Sequence, residues 1–349
     1  MSASGASNPE YVNARVRARR AKLFDDDEYR DLVKMGPGGI ARRMEETEYE
    51  AEINELGARH GGVDLIEYAL NRNLAKHFDD LLRFADGRLY DLVARYLRKF
   101  DAWNVKTVLR GIYSGAEREE IESDLIRAGE FDDRLIGRML DATSVEDLVE
   151  VLEGTVFGPG LAEALGEYEG YNSLVPLENA VDRAFYENLL GDLEGDDEAT
   201  KLYVEFLQAE IDFRNVRNAL RLARSGADID PAEYYIDGGR LFTPTELSSI
   251  RDNADELVAR VRESPYGDDL EEALDDLAAA ESLIGFENAI EAALLEYSDR
   301  LSNLYPLSIC PVLAYVLAKE REVKNVRAIA RAKEAGLPPE EIESELVTI

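Results

Sequence analysis

The stretch Asp101-Ala-Trp-Asn104-Val-Lys-Thr-Val-Leu-Arg110 decides the reading of this sequence, because it returns twice. Its counterparts are Asp212-Phe-Arg-Asn215-Val-Arg-Asn-Ala-Leu-Arg221 and Glu322-Val-Lys-Asn325-Val-Arg-Ala-Ile-Ala-Arg331. Each copy runs acid, two residues, Asn-Val, a cation, one residue, two small or apolar residues and arginine, with the asparagines 111 and then 110 positions apart. Chance rarely holds such a register, and a fixed period of this kind means a duplicated structural unit.

Two further landmarks repeat on the same ruler. Glu-x-Ala occurs at Glu67–Ala69, Glu178–Ala180 and Glu287–Ala289, standing 37, 37 and 38 residues before the matching asparagine. Thr47-Glu-Tyr49, Thr155-Val-Phe157 and Ser264-Pro-Tyr266 fall 108 and 109 apart, and each leads into a short amphipathic run, ending at Leu56, Leu165 and Leu274. The breaks Ser114-Gly115, Ser225-Gly226 and Gly336-Leu-Pro-Pro339 come after each terminal arginine and suit helix stops. This predicts three helical repeats, at 1–114, 115–226 and 227–349, with the stretch from Asp228 to Pro244 as an irregular loop. A chain of 349 residues is long enough for more than one core.

Within each unit the apolar residues keep a helical period. Leu89, Leu92, Val93, Tyr96, Leu97 and Phe100 share a face, as do Ile309, Val312, Leu313, Val316 and Leu317. The stripe continues through Val105, Val108, Leu109 and Ile112, or Val216, Ala219, Leu220 and Ala223, which puts the asparagine at the rim of a buried face. No alternating strand pattern of useful length occurs, so the expected fold class is all-α.

Composition narrows the function. A formal charge of −33 repels phosphate backbones and anionic head groups, so nucleic acid is not an expected partner. The 73 carboxylates are spread along the sequence, and only 9 of the 40 basic residues are lysine, the balance of a halophilic protein. In about 1 M salt the Debye length shrinks to roughly 3 Å and self-repulsion largely disappears. The lone Cys310 sits among apolar neighbours and fits a reducing cytoplasm. The N-terminus carries no apolar signal core and no stretch approaches 18 uninterrupted apolar residues, so direct membrane insertion is not expected.

Catalytic constellations are not expected. Asp27-Glu28-Tyr-Arg-Asp31 and Asp268-Asp269-Leu-Glu-Glu272 place carboxylates where they could share magnesium, as an enzyme acting on a prenyl diphosphate would require. With about a fifth of residues acidic, roughly three such patterns arise by chance, and solvated helix faces explain them. His60 and His77 with one cysteine make no zinc set. Gly36-Pro-Gly38-Gly39 lacks the Lys-Ser/Thr of a phosphate loop. We therefore expect no catalytic residue, no metal and no cofactor. The Arg15, Arg17, Arg19, Arg20 cluster reads as a helix face paired with Asp25 to Glu28.

The repeated polar residues read as structural. An asparagine at the rim of a buried face can satisfy a free backbone group on a neighbouring segment, and leaving such a group unpaired costs about 1–3 kcal/mol. The repeated glutamates are expected to face the repeated arginines of their own unit, Glu178 with Arg221 and likewise Glu67 with Arg110 and Glu287 with Arg331.

The N-terminal Tyr11-Val-Asn13-Ala-Arg15-Val-Arg17, taken with the three Asn-Val segments, resembles the C subunit of archaeal A-type ATP synthases, related to the d subunit of vacuolar ATPases. The resemblance covers essentially the whole chain. It departs most in the third copy, where Ala330 replaces leucine and Ala292 stands where arginine would fall. The resemblance implies three helical units around a pseudo-threefold axis, a funnel-like socket seated on the proteolipid rotor ring at the cytoplasmic face of the membrane and receiving the central stalk. A part of this kind transmits torque during ion-driven ATP synthesis and needs no reactive side chain. A free-standing helical-repeat scaffold for a soluble partner would share the repeats and differ in what it binds.

Overall fold

The computed structural model describes residues 7–347 apart from 172, 192, 194–196, 226–233, 250–252, 269, 272–273 and 276–283. Every regular element among the described residues is a helix, as the apolar period predicts. Contacts divide the chain into two compact units: Met1–Val12 with Ala41–Leu193, and Asn13–Ile40 with Glu194–Ile349. These units and the three sequence repeats cut the chain in different places.

In the first unit the Gly62–Phe84 helix turns through Ala85 and Asp86 into Gly87–Leu97, and then into Lys99–Ser114. Leu70, Leu74, Phe78 and Leu81 of the first are buried, as are Val105, Val108 and Leu109 of the last. Phe78 and Phe100 join the two faces, with ring centroids 5.2 Å apart. The stripe Leu89–Phe100 is buried as expected, but it spans two helices because Arg98 closes the first with its N–H on the Arg95 and Tyr96 carbonyls. In the second unit the corresponding segments belong to the uninterrupted helices Glu198–Ser225 and Cys310–Glu334.

Helix ends obey local chemistry. Gly115 takes φ 70°, a left-handed conformation that costs a residue with a Cβ, and its N–H reaches the Gly111 and Ile112 carbonyls. Gly336 does the same at φ 77°. Ser225 ends its helix, while its neighbour Gly226 lies outside the described residues.

In the second unit Phe213, Val216 and Leu220 pack with Phe242, Leu257, Val261, Leu270, Leu274 and Ile290 in one apolar cluster. The Cys310–Glu334 helix lies against Ile284–Leu304 and against Asp26–Val33. It buries Val312, Leu313, Tyr315, Val316, Val323, Val326 and Ile329. Leu317 is half-buried. Burying such a side chain contributes about 1.5–3 kcal/mol relative to leaving it exposed, so the helix is held mainly by this face. The expected loop at Asp228 to Pro244 lies partly outside the described residues; from 237 to 243 it is turn and irregular chain.

A small turn recurs at the second landmark. Thr47, Thr155 and Ser264 each donate a hydroxyl hydrogen bond to the carbonyl three residues back and accept one from the N–H two residues on. The N–H so held belongs in each case to an aromatic residue, Tyr49, Phe157 or Tyr266.

Candidate functional site

The residues that repetition singles out form three separate clamps. Asn104 donates through Nδ2 to the Ile126 carbonyl at 2.8 Å and accepts from the Ile126 N–H through Oδ1, also at 2.8 Å. Asn215 binds Ile236 in the same way, at 2.9 Å in both directions. Asn325 binds Val347 at 2.9 and 3.0 Å. An amide offers a donor and an acceptor side by side, which a single residue's backbone requires. All three asparagines are buried, and each reaches 21 or 22 residues forward to pin the chain beyond its own helix.

One helical turn earlier stands the acid. Asp101 accepts from the Glu130 and Phe131 N–H groups at 2.8 and 3.1 Å. Asp212 accepts from Arg240 and Leu241 at 2.8 and 2.9 Å, and from the Tyr266 hydroxyl at 2.9 Å. Spacing of three puts acid and asparagine on one helical face, so both grip the same returning segment. Burial pushes the Asp101 carboxyl up to about 6, against the two N–H groups that favour its charge. Asp212 is raised by the same cause, opposed by Leu241 and Tyr266.

The carboxylates need backbone to approach closely, and glycine permits it. A Cβ on Gly129 would stand 2.1 Å from Asp101 Oδ1, and one on Gly239 would stand 2.3 Å from Asp212 Oδ1. The acids were visible in the repeated pattern. The two glycines were not, because nothing in local sequence ties them to a carboxylate 28 or 27 positions earlier.

The expectation that Glu67 faces Arg110 needs correction. Arg110 meets Glu178 of the second copy with two bonds, Nε to Oε1 at 2.6 Å and Nη2 to Oε2 at 3.0 Å, and not Glu67 of its own. The cause is packing: the Lys99–Ser114 helix lies against Val175–Leu190. One turn away along both helices Lys106 meets Asp182 at 2.6 Å, so two ion pairs join these helices side by side. The Glu178 bond raises the Arg110 pKa. The Arg221 side chain lies outside the described residues. Glu67 and Glu287 are half-buried and Arg331 is exposed.

Of the N-terminal motif, Tyr11 sets its ring edge against Phe84 at 6.2 Å, Asn13 is buried and donates to the Pro306 and Ser308 carbonyls at 3.0 Å each, and Arg15 and Arg17 face solvent. Arg20 pairs with Asp299, whereas Asp25 and Glu28 are occupied in a capping box. Asp27 and Asp31 pair with Arg30 and Lys34. Residues 269 and 272 of the other acidic run lie outside the described residues. Among the described residues no group of three or more His, Cys, Asp or Glu could hold a metal ion, and no helix is long and apolar enough to cross a membrane.

Residues 12–345 match the profile of the ATP synthase (C/AC39) subunit family. The chain is 68% identical to the C subunit of the A-type ATP synthase of Haloferax volcanii over 349 residues, covering all of both chains. It is 57% identical over 352 residues to the protein of that name from Halobacterium salinarum, again over the whole of both. With the one from Methanosarcina barkeri it shares 35% over 353 residues, which is 99% of this chain and 94% of that one. The acidic, lysine-poor composition fits the Haloferax and Halobacterium relatives. A match that runs from the N-terminal helix to the last clamp, together with an all-helical fold, places this chain in the family of ATP synthase (C/AC39) subunits.

Proposed function

We propose that the chain is a non-catalytic central-stalk subunit of a rotary A-type ATP synthase, coupling the proteolipid rotor ring to the central stalk. The observation that carries this reading is the use of the repeated polar residues. Asp101, Asn104, Asp212, Asn215 and Asn325 are buried and bond the chain's own backbone, Asp212 taking the Tyr266 hydroxyl as well. Repetition has therefore kept a way of fixing helices to the segments beyond them, which is what a part under torque requires. Membership in the family supports the same role, since the relatives are named as C subunits of A-type ATP synthases.

On this reading the stretches 1–114, 115–226 and 227–349 are copies of one module arranged about a pseudo-threefold axis, with a socket for the stalk. The ion pairs Arg110–Glu178 and Lys106–Asp182 join the first copy to the second. The protein sits at the cytoplasmic face of the membrane, held there by the ring. Proton or other ion flow and nucleotide chemistry belong to other subunits.

The test is co-purification. Tagged protein drawn from a halophilic host membrane extract at high salt should bring ring proteolipid and stalk subunits in fixed proportion. Recovery of the chain alone, or with a soluble partner in place of both, would refute the assignment.

A further inference from the structure

The third clamp differs from the other two in where its acid finds a donor. Glu322 accepts from the Phe24 N–H at 2.7 Å, 298 residues away in sequence, whereas Asp101 and Asp212 take theirs from the stretch 28 to 30 residues ahead. The chain after Phe24 repeats the chain after the other two sites. Asp25 caps the helix Asp26–Val33, Asp132 caps Asp133–Leu140, and Thr243 stands before Pro244–Ser249 with its hydroxyl bonded to Glu246. A second short helix comes next in each case, Pro37–Met44, Val145–Leu152 and Ala254–Arg262. The hydroxyl turn then closes each run at Thr47, Thr155 and Ser264, which lie 23, 24 and 22 residues after Phe24, Phe131 and Phe242.

We propose that residues 24–40 hold, against the third clamp, the place that 131–152 and 242–262 hold against the first two, supplied from the N-terminal end of the chain and docked on the C-terminal helices as a clasp. The chemistry at the joint agrees. Glu322 is also bonded by the buried Lys319 Nζ at 2.6 Å, which neutralises the carboxylate while leaving an oxygen for Phe24. Arg321 pairs with Asp26 and donates through Nε to the Val347 carbonyl at 2.6 Å, so a single side chain ties the N-terminal helix to the C-terminal segment. The Asp26–Val33 helix packs on both Cys310–Glu334 and Pro339–Ser344. Glutamate replaces aspartate here for a reason of reach. Where Gly129 and Gly239 let backbone crowd a short carboxylate, Leu23 precedes the donor in the third site, and a side chain one methylene longer lets the carboxylate reach a donor whose neighbour carries a Cβ.

The clasp stands independently of the coupling role. It is tested by amide hydrogen exchange on the full chain at high salt, comparing the wild type with Glu322→Ala. Exchange should rise at least tenfold across Asp26–Val33 and Pro339–Ser344, and change less than twofold across Gly62–Phe84 and Asp133–Leu140. In Asp101→Ala the pattern should reverse, with acceleration confined to the segment after Phe131. Unchanged exchange over Asp26–Val33 in Glu322→Ala, or a uniform rise over the whole chain, would overturn the clasp. Should Glu322→Ala fail to fold, Asp26→Asn breaks the Arg321 pair from a part-exposed position. Local acceleration over Pro339–Ser344 in that variant supports the clasp, and its absence refutes it.

Discussion

Asn104, Asn215 and Asn325 each hold both backbone groups of one residue, and this is where a single substitution is most damaging. Replacing any of them with alanine strands a buried N–H; the carbonyl is stranded with it at Ile236, whereas Ile126 keeps the Ala128 N–H and Val347 keeps Arg321. Each variant should lose about 1–3 kcal/mol or more of unfolding free energy in a urea titration at high salt. Gly129→Ala should cost a similar amount, since its Cβ and the Asp101 carboxylate would occupy the same space. Gly137→Ala is the control: its Cβ meets nothing within 4 Å on an ordinary helix, and the change should stabilise by about 0.5–1 kcal/mol. The Asp101 carboxyl, pushed up to about 6, holds its proton in the folded chain at pH values where the unfolded chain has released it. Its contribution to stability therefore declines as pH rises from about 4 towards 6 and is level above that. The stability of the wild type relative to Asp101→Asn should fall across that window, and a flat difference would remove burial as the cause. At this scale the sequence exposed the asparagines and the acids through their repetition, because a buried amide leaves the same residue in every copy. It did not expose Gly129 and Gly239, whose role depends on a loop returning to a carboxylate far back in the chain.

Among the helices, the apolar period was sufficient to find the long elements, because their stability rests on a buried face that keeps the period. Leu89 to Phe100 and Ile309 to Val316 are buried as the pattern predicts. Which helix lies against which is beyond the reach of that period. Arg110 and Lys106 were legible as repeated cations, yet their partners Glu178 and Asp182 stand on a helix of the next copy, and sequence spacing carries no information about that choice. The two pairs differ in exposure, with Arg110 53% exposed and Lys106 only 14%. An exposed pair contributes about 0–1 kcal/mol and is weakened by salt. Arg110→Ala should thus change the urea midpoint little at high salt, while Lys106→Ala, which removes a pair whose side chains are only 14% and 18% exposed, should lower it clearly.

For the whole molecule, charge and function meet. A chain with a formal charge of −33 gains from screening, whose length falls from about 10 Å at 0.1 M salt to about 3 Å at 1 M. Its melting temperature should rise steeply over that range and then flatten, and an unchanged melting temperature would argue against salt adaptation. The all-helical class and the family were both legible at this scale, through the 111 and 110 residue spacing and the N-terminal Tyr11–Arg17 motif. The division into compact units was not, because Asn13–Ile40 groups with Glu194–Ile349 through tertiary contacts that no local pattern announces. The role in coupling is decided by reconstitution. Ring, stalk and catalytic subunits would be assembled in vesicles at high salt with and without this chain, and ATP-driven ion uptake measured beside ATP hydrolysis. Hydrolysis should persist in both preparations, with uptake only when the chain is present. Equal uptake in its absence would contradict the coupling role.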